Sequence, residues 1–110
     1  MERAVYLDHA STTPTDPKVV EAMRPWFDEQ FGNPSTVYSL GLTAASAVQH
    51  ARGSLAAAIG AEPDEIYFTS GGTESDNWAI LGTAHALRAR GRHIVTSAFE
   101  HPAVLKVCAF

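Results

Sequence analysis

Two β-type runs, Glu65-Ile66-Tyr67-Phe68-Thr69 and His93-Ile94-Val95-Thr96-Ser97, flank one helix-period stretch that passes through Trp78, Leu81, Ala84 and Leu87 and closes at Gly91. This alternation restricts the chain more than any other feature. Strand, helix, strand within one sheet almost always makes a parallel pair joined by a right-handed crossover. An α/β fold is therefore expected, with helices packed on a parallel β-α-β unit. Two parallel strands alone make a poor sheet, because parallel sheets are normally covered on both faces and flanked by further strands. The sheet is expected to be incomplete and the chain to be cut short; an N-terminal strand or a partner chain is the other way to complete it.

Ahead of this unit, Val5-Tyr6-Leu7 is a short β-like run, and His9-Ala10-Ser11-Thr12-Thr13-Pro14 is rich in turn formers. Residues 1–15 read as an extended arm, and residues 16–110 as one partial domain, since no repeat, low-complexity tract or linker divides them. Asp16-Pro17 supplies an N-cap followed by proline at the first helical position, and Val19, Val20, Met23, Trp26 and Phe27 predict a helix of about three turns ending near Gln30. Phe31-Gly32-Asn33-Pro34-Ser35 resists helix. A second helix should begin near Ser39 and end at Gly60. Its stripe of Ala44, Ala47, Val48, Ala51, Leu55 and Ile59 predicts four or five turns with one buried face. Pro102-Ala103-Val104-Leu105 opens a last helix, still unfinished at Phe110.

With 45 % hydrophobic and 18 % charged residues, the 110-residue composition is that of a folded soluble protein rather than a disordered tail or a disulfide scaffold. Eight Lys+Arg against twelve Asp+Glu give a net charge of −4, which argues against nucleic acid or an anionic membrane as partner. The local cluster Arg88, Arg90 and Arg92 is explained by a helix end, where cations complement the dipole. Cys108 cannot form an internal disulfide and reads as a small buried hydrophobe beside Val104, Leu105 and Val107. No secretory signal or membrane span is visible, so a cytoplasmic location is expected. His9, His50, His85 and His93 show no metal-ligand spacing with one another or with Cys108, and no metal is expected.

Parallel strands would place the two loops that follow them, Ser70-Gly71-Gly72-Thr73 and Phe99-Glu100-His101, on one carboxyl edge, where open α/β sheets bind ligands. The glycines permit close backbone approach, and a helix N-terminus with its unpaired N–H groups suits phosphate. Neither nucleotide fingerprint, G-x-x-x-x-G-K-[ST] or G-x-G-x-x-G, is present, so a nucleotide is not expected. The same residues also suit a plain turn with Thr73 or Ser70 as cap. Glu74 and Asp76 suit the helix dipole but repel phosphate, so phosphate binding requires them to point away or to find a partner. His101 has two readings as well, a capping side chain or a functional imidazole.

Four ordered segments resemble the N-terminal signatures of cysteine desulfurases, in the class V aminotransferase group of pyridoxal-phosphate enzymes. They are Tyr6-Leu7-Asp8-His9-Ala10-Ser11-Thr12-Thr13-Pro14, Phe31-Gly32-Asn33-Pro34-Ser35, Phe68-Thr69-Ser70-Gly71-Gly72-Thr73-Glu74-Ser75-Asp76-Asn77 and Glu100-His101-Pro102-Ala103-Val104. The resemblance spans essentially the whole chain. It implies the N-terminal part of the large domain of a fold-type I enzyme, with pyridoxal 5'-phosphate as cofactor. It implies that Gly72 and Thr73 contact the cofactor phosphate, and that His101 stacks on the ring and assists proton transfer.

The implied reaction converts L-cysteine to L-alanine and passes the sulfur to an enzyme cysteine as a persulfide, for iron-sulfur cluster assembly or another sulfur-transfer route. A homodimer and a sulfur-acceptor or scaffold protein are the implied partners. Neither Lys18 nor Lys106 matches the family's cofactor-linking lysine, and Cys108 does not match its persulfide cysteine. The substrate arginine and the aspartate at the pyridinium nitrogen also lack counterparts, so these 110 residues alone are expected to have no desulfurase turnover. Tyr38 stands where the family often has histidine, and Ala45 where it has a basic residue. Two other readings stay open: part of another class V aminotransferase, or a non-catalytic truncated or split gene product.

Overall fold

The computed structural model describes residues 4–109; residues 1–3 of the expected arm lie outside them. The chain divides into two compact units that meet in sequence between Ile66 and Tyr67.

The first unit holds α1 (Pro17–Met23), α2 (Pro25–Asp28), α3 (Ser39–Ile59) and a single 3-10 turn at Pro63–Glu65. Asp16 caps α1 as expected, its carboxylate accepting the Lys18 N–H at 2.8 Å. The expected three-turn helix is instead two helices. Pro25 has no N–H to continue the ladder, so the chain restarts with proline at the first position of α2. In the arm, Val5, Tyr6 and Leu7 are exposed and join no strand ladder, so the β-like run forms no strand. The turn expected after it is present, with the Ser11 N–H donating to the Asp8 carbonyl at 3.1 Å.

The segment before α3 is folded by Asn33. Its side-chain oxygen accepts the Ser35 N–H at 2.9 Å, and its carbonyl accepts the Thr36 hydroxyl at 2.8 Å. This turn lies so close to the first turn of α3 that a Cβ on Gly41 would sit 2.6 Å from the Thr36 carbonyl oxygen and 2.7 Å from that of Asn33. A Cβ on Gly32 would collide with the Leu40 carbonyl.

α3 begins and ends where the sequence predicts, with Gly60 in the left-handed region at φ 70° as its C-cap. Its 21 residues make about six turns, where the apolar stripe predicts four or five. Its buried face keeps the predicted Ala44, with Ala47 half-buried beside it, but does not follow the predicted stripe to its end. Gly41, Ala44 and Ala56 are buried with Val48 and Arg52 half-buried, whereas Leu55 and Ile59 stay 47 % and 71 % exposed. At the start of α3 the neighbour explains this: the Asn33–Thr36 turn lies against Gly41 with its carbonyl oxygens and leaves no room for a larger residue. Arg52 reaches from α3 to donate to the Ile66 carbonyl.

The second unit pairs α4 (Gly72–Ala86) with α5 (Pro102–Cys108). α5 starts where expected. α4 stops at Ala86 rather than near Gly91, and turn bonds such as Arg90 N–H to Leu87 carbonyl, 2.8 Å, replace the helical ladder. Trp78 meets Tyr67 edge-on with ring centroids 5.2 Å apart. Ala103 and Val107 are the buried apolar side chains here among the described residues.

No strand is present among the described residues. Glu65, expected in the first strand, lies in the 3-10 turn, where its carboxylate accepts the Glu62 N–H at 2.9 Å. Residues 67–69 and 93–97 flank α4 without a ladder, and Tyr67, Phe68, Ile94 and Val95 remain exposed. The crossover helix has formed and the parallel sheet has not. Parallel pairing is weak per residue and is favoured only when both faces are buried, a condition these exposed apolar side chains do not meet. No helix among the described residues is long and apolar enough to cross a membrane.

Candidate functional site

The glycine loop leads directly into α4, whose N-cap is Gly71. No side chain caps the helix, so neither Thr73 nor Ser70 plays the capping role that the sequence left open. The orphan N–H groups of the first turn are left to other acceptors. A Cβ built on Gly71 or Gly72 meets nothing within 4 Å. Both glycines thus border open space at the positive end of a 15-residue helix.

The hydroxyls of the loop are engaged sideways. Glu74 turns back so that one carboxylate oxygen accepts both the Ser70 N–H and the Ser70 hydroxyl, each at 2.7 Å. These bonds, the hydroxyl first, hold the Glu74 carboxyl below its ordinary pKa. Glu74 has therefore found the partner that phosphate binding at this helix end demands. Thr69 Oγ1 lies 2.7 Å from Ser75 Oγ and donates to the Gly71 carbonyl at 3.1 Å. Asn77 donates to the Thr73 carbonyl at 2.8 Å.

His101 is the N-cap of α5, with Nδ1 accepting the Ala103 N–H at 3.1 Å. In a neutral ring that accepts through Nδ1, the proton sits on Nε2, which is then the available donor. Capping and function are consequently compatible: one nitrogen fixes the ring and the other is spare. Before it, the Ser97 hydroxyl donates to Glu100 at 2.7 Å.

Thr73 and Pro102, the residue next to His101, line one cleft of about 540 Å³. Its other walls are Asn77, Leu81, Ala103, Lys106 and Val107. The two helix N-termini singled out by the sequence thus open on a common space. Asn77 and Lys106 were missed as cleft residues, although the signal was available: Asn77 stands four after Thr73 and Lys106 four after Pro102, one turn along the same helix face. Cys108 is half-buried at the end of α5.

These residues fit a phosphorylated pyridine. Two glycines with free space beside them, an uncapped helix start and the Thr73 hydroxyl suit the phosphate, and an oriented imidazole suits the ring. Residues 5–110 match the aminotransferase class-V family model, and the chain belongs to that family. It is 57 % identical over 108 residues to the cysteine desulfurase IscS of Methanosarcina thermophila, covering 98 % of this chain and 27 % of that protein. A solved NifS-like protein superposes with a TM-score of 0.88 at 38 % identity, over 96 % of this chain and 29 % of that one. A solved structure of SspA in complex with cysteine superposes with a TM-score of 0.84 at 40 % identity, over 94 % and 30 % of the two chains. The chain therefore spans a little over a quarter of the length of the relatives it matches.

Proposed function

We propose that this chain supplies the phosphate cradle and the ring-facing imidazole of a pyridoxal-phosphate cysteine desulfurase. The observation that carries the reading is the uncapped start of α4, bordered by unobstructed glycines and sharing a cleft with the start of α5. In this reading Gly72 and Thr73 donate their N–H groups, and Thr73 its hydroxyl, to the cofactor phosphate. His101, its Nδ1 tied to Ala103, presents Nε2–H for proton handling beside the ring. The bound cofactor supplies an electron sink for the substrate α-carbon.

The proposed activity of the whole polypeptide is conversion of L-cysteine to L-alanine with transfer of sulfur to an enzyme cysteine, in the cytoplasm, by a homodimer that serves a sulfur acceptor. Within that longer polypeptide, where both faces of a sheet can be covered, the β-type runs at 67–69 and 93–97 pair as parallel strands of a fold-type I large domain. The cysteine complex of SspA supports the substrate class.

The test is titration of the chain with pyridoxamine phosphate, which carries ring and phosphate but no aldehyde to react with Lys18 or Lys106. Thr73→Ala should weaken binding roughly tenfold, the effect of losing a hydrogen bond to a charged group. Ser11→Ala should leave it unchanged. No saturable binding, or equal affinities in the two variants, contradicts the reading.

A further inference from the structure

Glu74 is the acid in the first turn of α4, where a negative charge should oppose a bound phosphate by direct repulsion. Its geometry points to a different part. The two bonds from Ser70 to the Glu74 carboxylate, both 2.7 Å, close a ring over Gly71, Gly72 and Thr73. A second link runs beside it. Because the Thr69 hydroxyl donates its hydrogen to the Gly71 carbonyl, the 2.7 Å contact with Ser75 is a bond donated by Ser75. Four side chains thus fasten the segment before the glycines to the first turn after them. The clasp also sorts the donors of the loop: the Ser70 N–H is taken by the carboxylate, while the start of α4 carries no side-chain cap.

Resting on the cradle reading above, we propose that Glu74 is a positioning residue, whose carboxylate holds the loop closed over the two glycines and so fixes the Gly72 and Thr73 N–H groups for phosphate. It acts through Ser70 and need not touch the ligand. The proposal and simple electrostatics give opposite signs. If Glu74 acted only through its charge, removing it would tighten phosphate binding; if it acts as a clasp, removing it loosens binding, and an uncharged acceptor of the same shape restores it.

The experiment compares the full chain with Glu74→Ala, Glu74→Gln and Ser70→Ala by pyridoxamine phosphate titration, and by hydrogen exchange of the Ser70 amide without ligand. Glu74→Ala should weaken binding roughly tenfold and speed Ser70 exchange by a similar factor. Glu74→Gln, which keeps an acceptor oxygen, should return both to within about threefold of the wild type. Ser70→Ala, which loses one of the two bonds, should fall between and serves if Glu74→Ala does not fold. Unchanged or tighter binding by Glu74→Ala, or failure of Glu74→Gln to rescue, overturns the proposal. If Thr73→Ala still weakens binding while Glu74→Ala does not, the role of Glu74 fails and the cradle stands. If the wild type shows no saturable binding, the cradle fails and takes the clasp with it.

Discussion

The chain has two glycine-bearing loops that look alike in sequence, Phe31-Gly32-Asn33-Pro34-Ser35 ahead of α3 and Ser70-Gly71-Gly72-Thr73 ahead of α4. Their glycines are there for opposite reasons. At Gly32 and Gly41 the space a Cβ would need is filled by backbone of the same unit. At Gly71 and Gly72 it is empty, and no positive φ in the left-handed region demands glycine there. In the first region glycine is a packing requirement of the chain itself. In the second the space beside the glycines is open, as the proposed approach of the cofactor phosphate requires.

The contrast can be broken most forcefully at Gly41. Gly41→Ala must push Cβ against two carbonyl oxygens, and the expected loss is about 3 kcal/mol, at the upper end for overpacking, read from a denaturant melt. A melt within about 0.5 kcal/mol of wild type would contradict the packing account. Gly72→Ala should do the reverse. Stability rises by about 0.5 kcal/mol through the less flexible unfolded chain, while pyridoxamine phosphate affinity drops roughly tenfold. His101 sharpens the comparison on the other helix. His101→Ala removes the α5 cap at a cost of about 1 kcal/mol, whereas His101→Asn keeps a capping oxygen and most of that stability but loses the imidazole.

The smallest effect is a titration. The folded-state pKa of Glu74 is depressed, so its contribution is present above the ordinary carboxylate value and disappears as pH falls through the lowered one. A carbon-detected NMR titration should place the Glu74 midpoint below that of an ordinary glutamate, and Ser70→Ala should move it back up.

Much of the local structure was legible because it depends on neighbours in sequence. Asp16-Pro17, Gly60 and Pro102 mark helix ends through caps and glycine or proline geometry, which a few residues decide. What misled was tertiary. In α3 the periodicity places Ala44 correctly in the core, but it also extends the buried stripe to Leu55 and Ile59, which stay exposed while Gly41 and Ala56 are buried. Pro25 is a local exception: it sits inside a regular apolar spacing that predicts one helix, and its missing N–H breaks that helix in two. The two β-type runs have strand composition without a ladder, since composition states what a segment could pair with and not whether it does. At the candidate site, the places of Gly71, Gly72 and His101 at the starts of two helices were legible from turn-to-helix spacing, and the roles proposed for Gly72, Thr73 and His101 come from the family resemblance. The Glu74 clasp was not, because a carboxylate four residues from a serine on a turn-to-helix junction reads equally well as a solvated dipole partner.

The most direct test of the proposed cradle is an amide chemical-shift map of the whole chain during addition of pyridoxamine phosphate. The expected result is saturable shifts centred on Gly72 and Thr73 and extending to His101 and Ala103, with Gly32 and Gly41 unmoved. Shifts centred on residues 31–41, or none at Gly72 and Thr73 at saturating ligand, would contradict it.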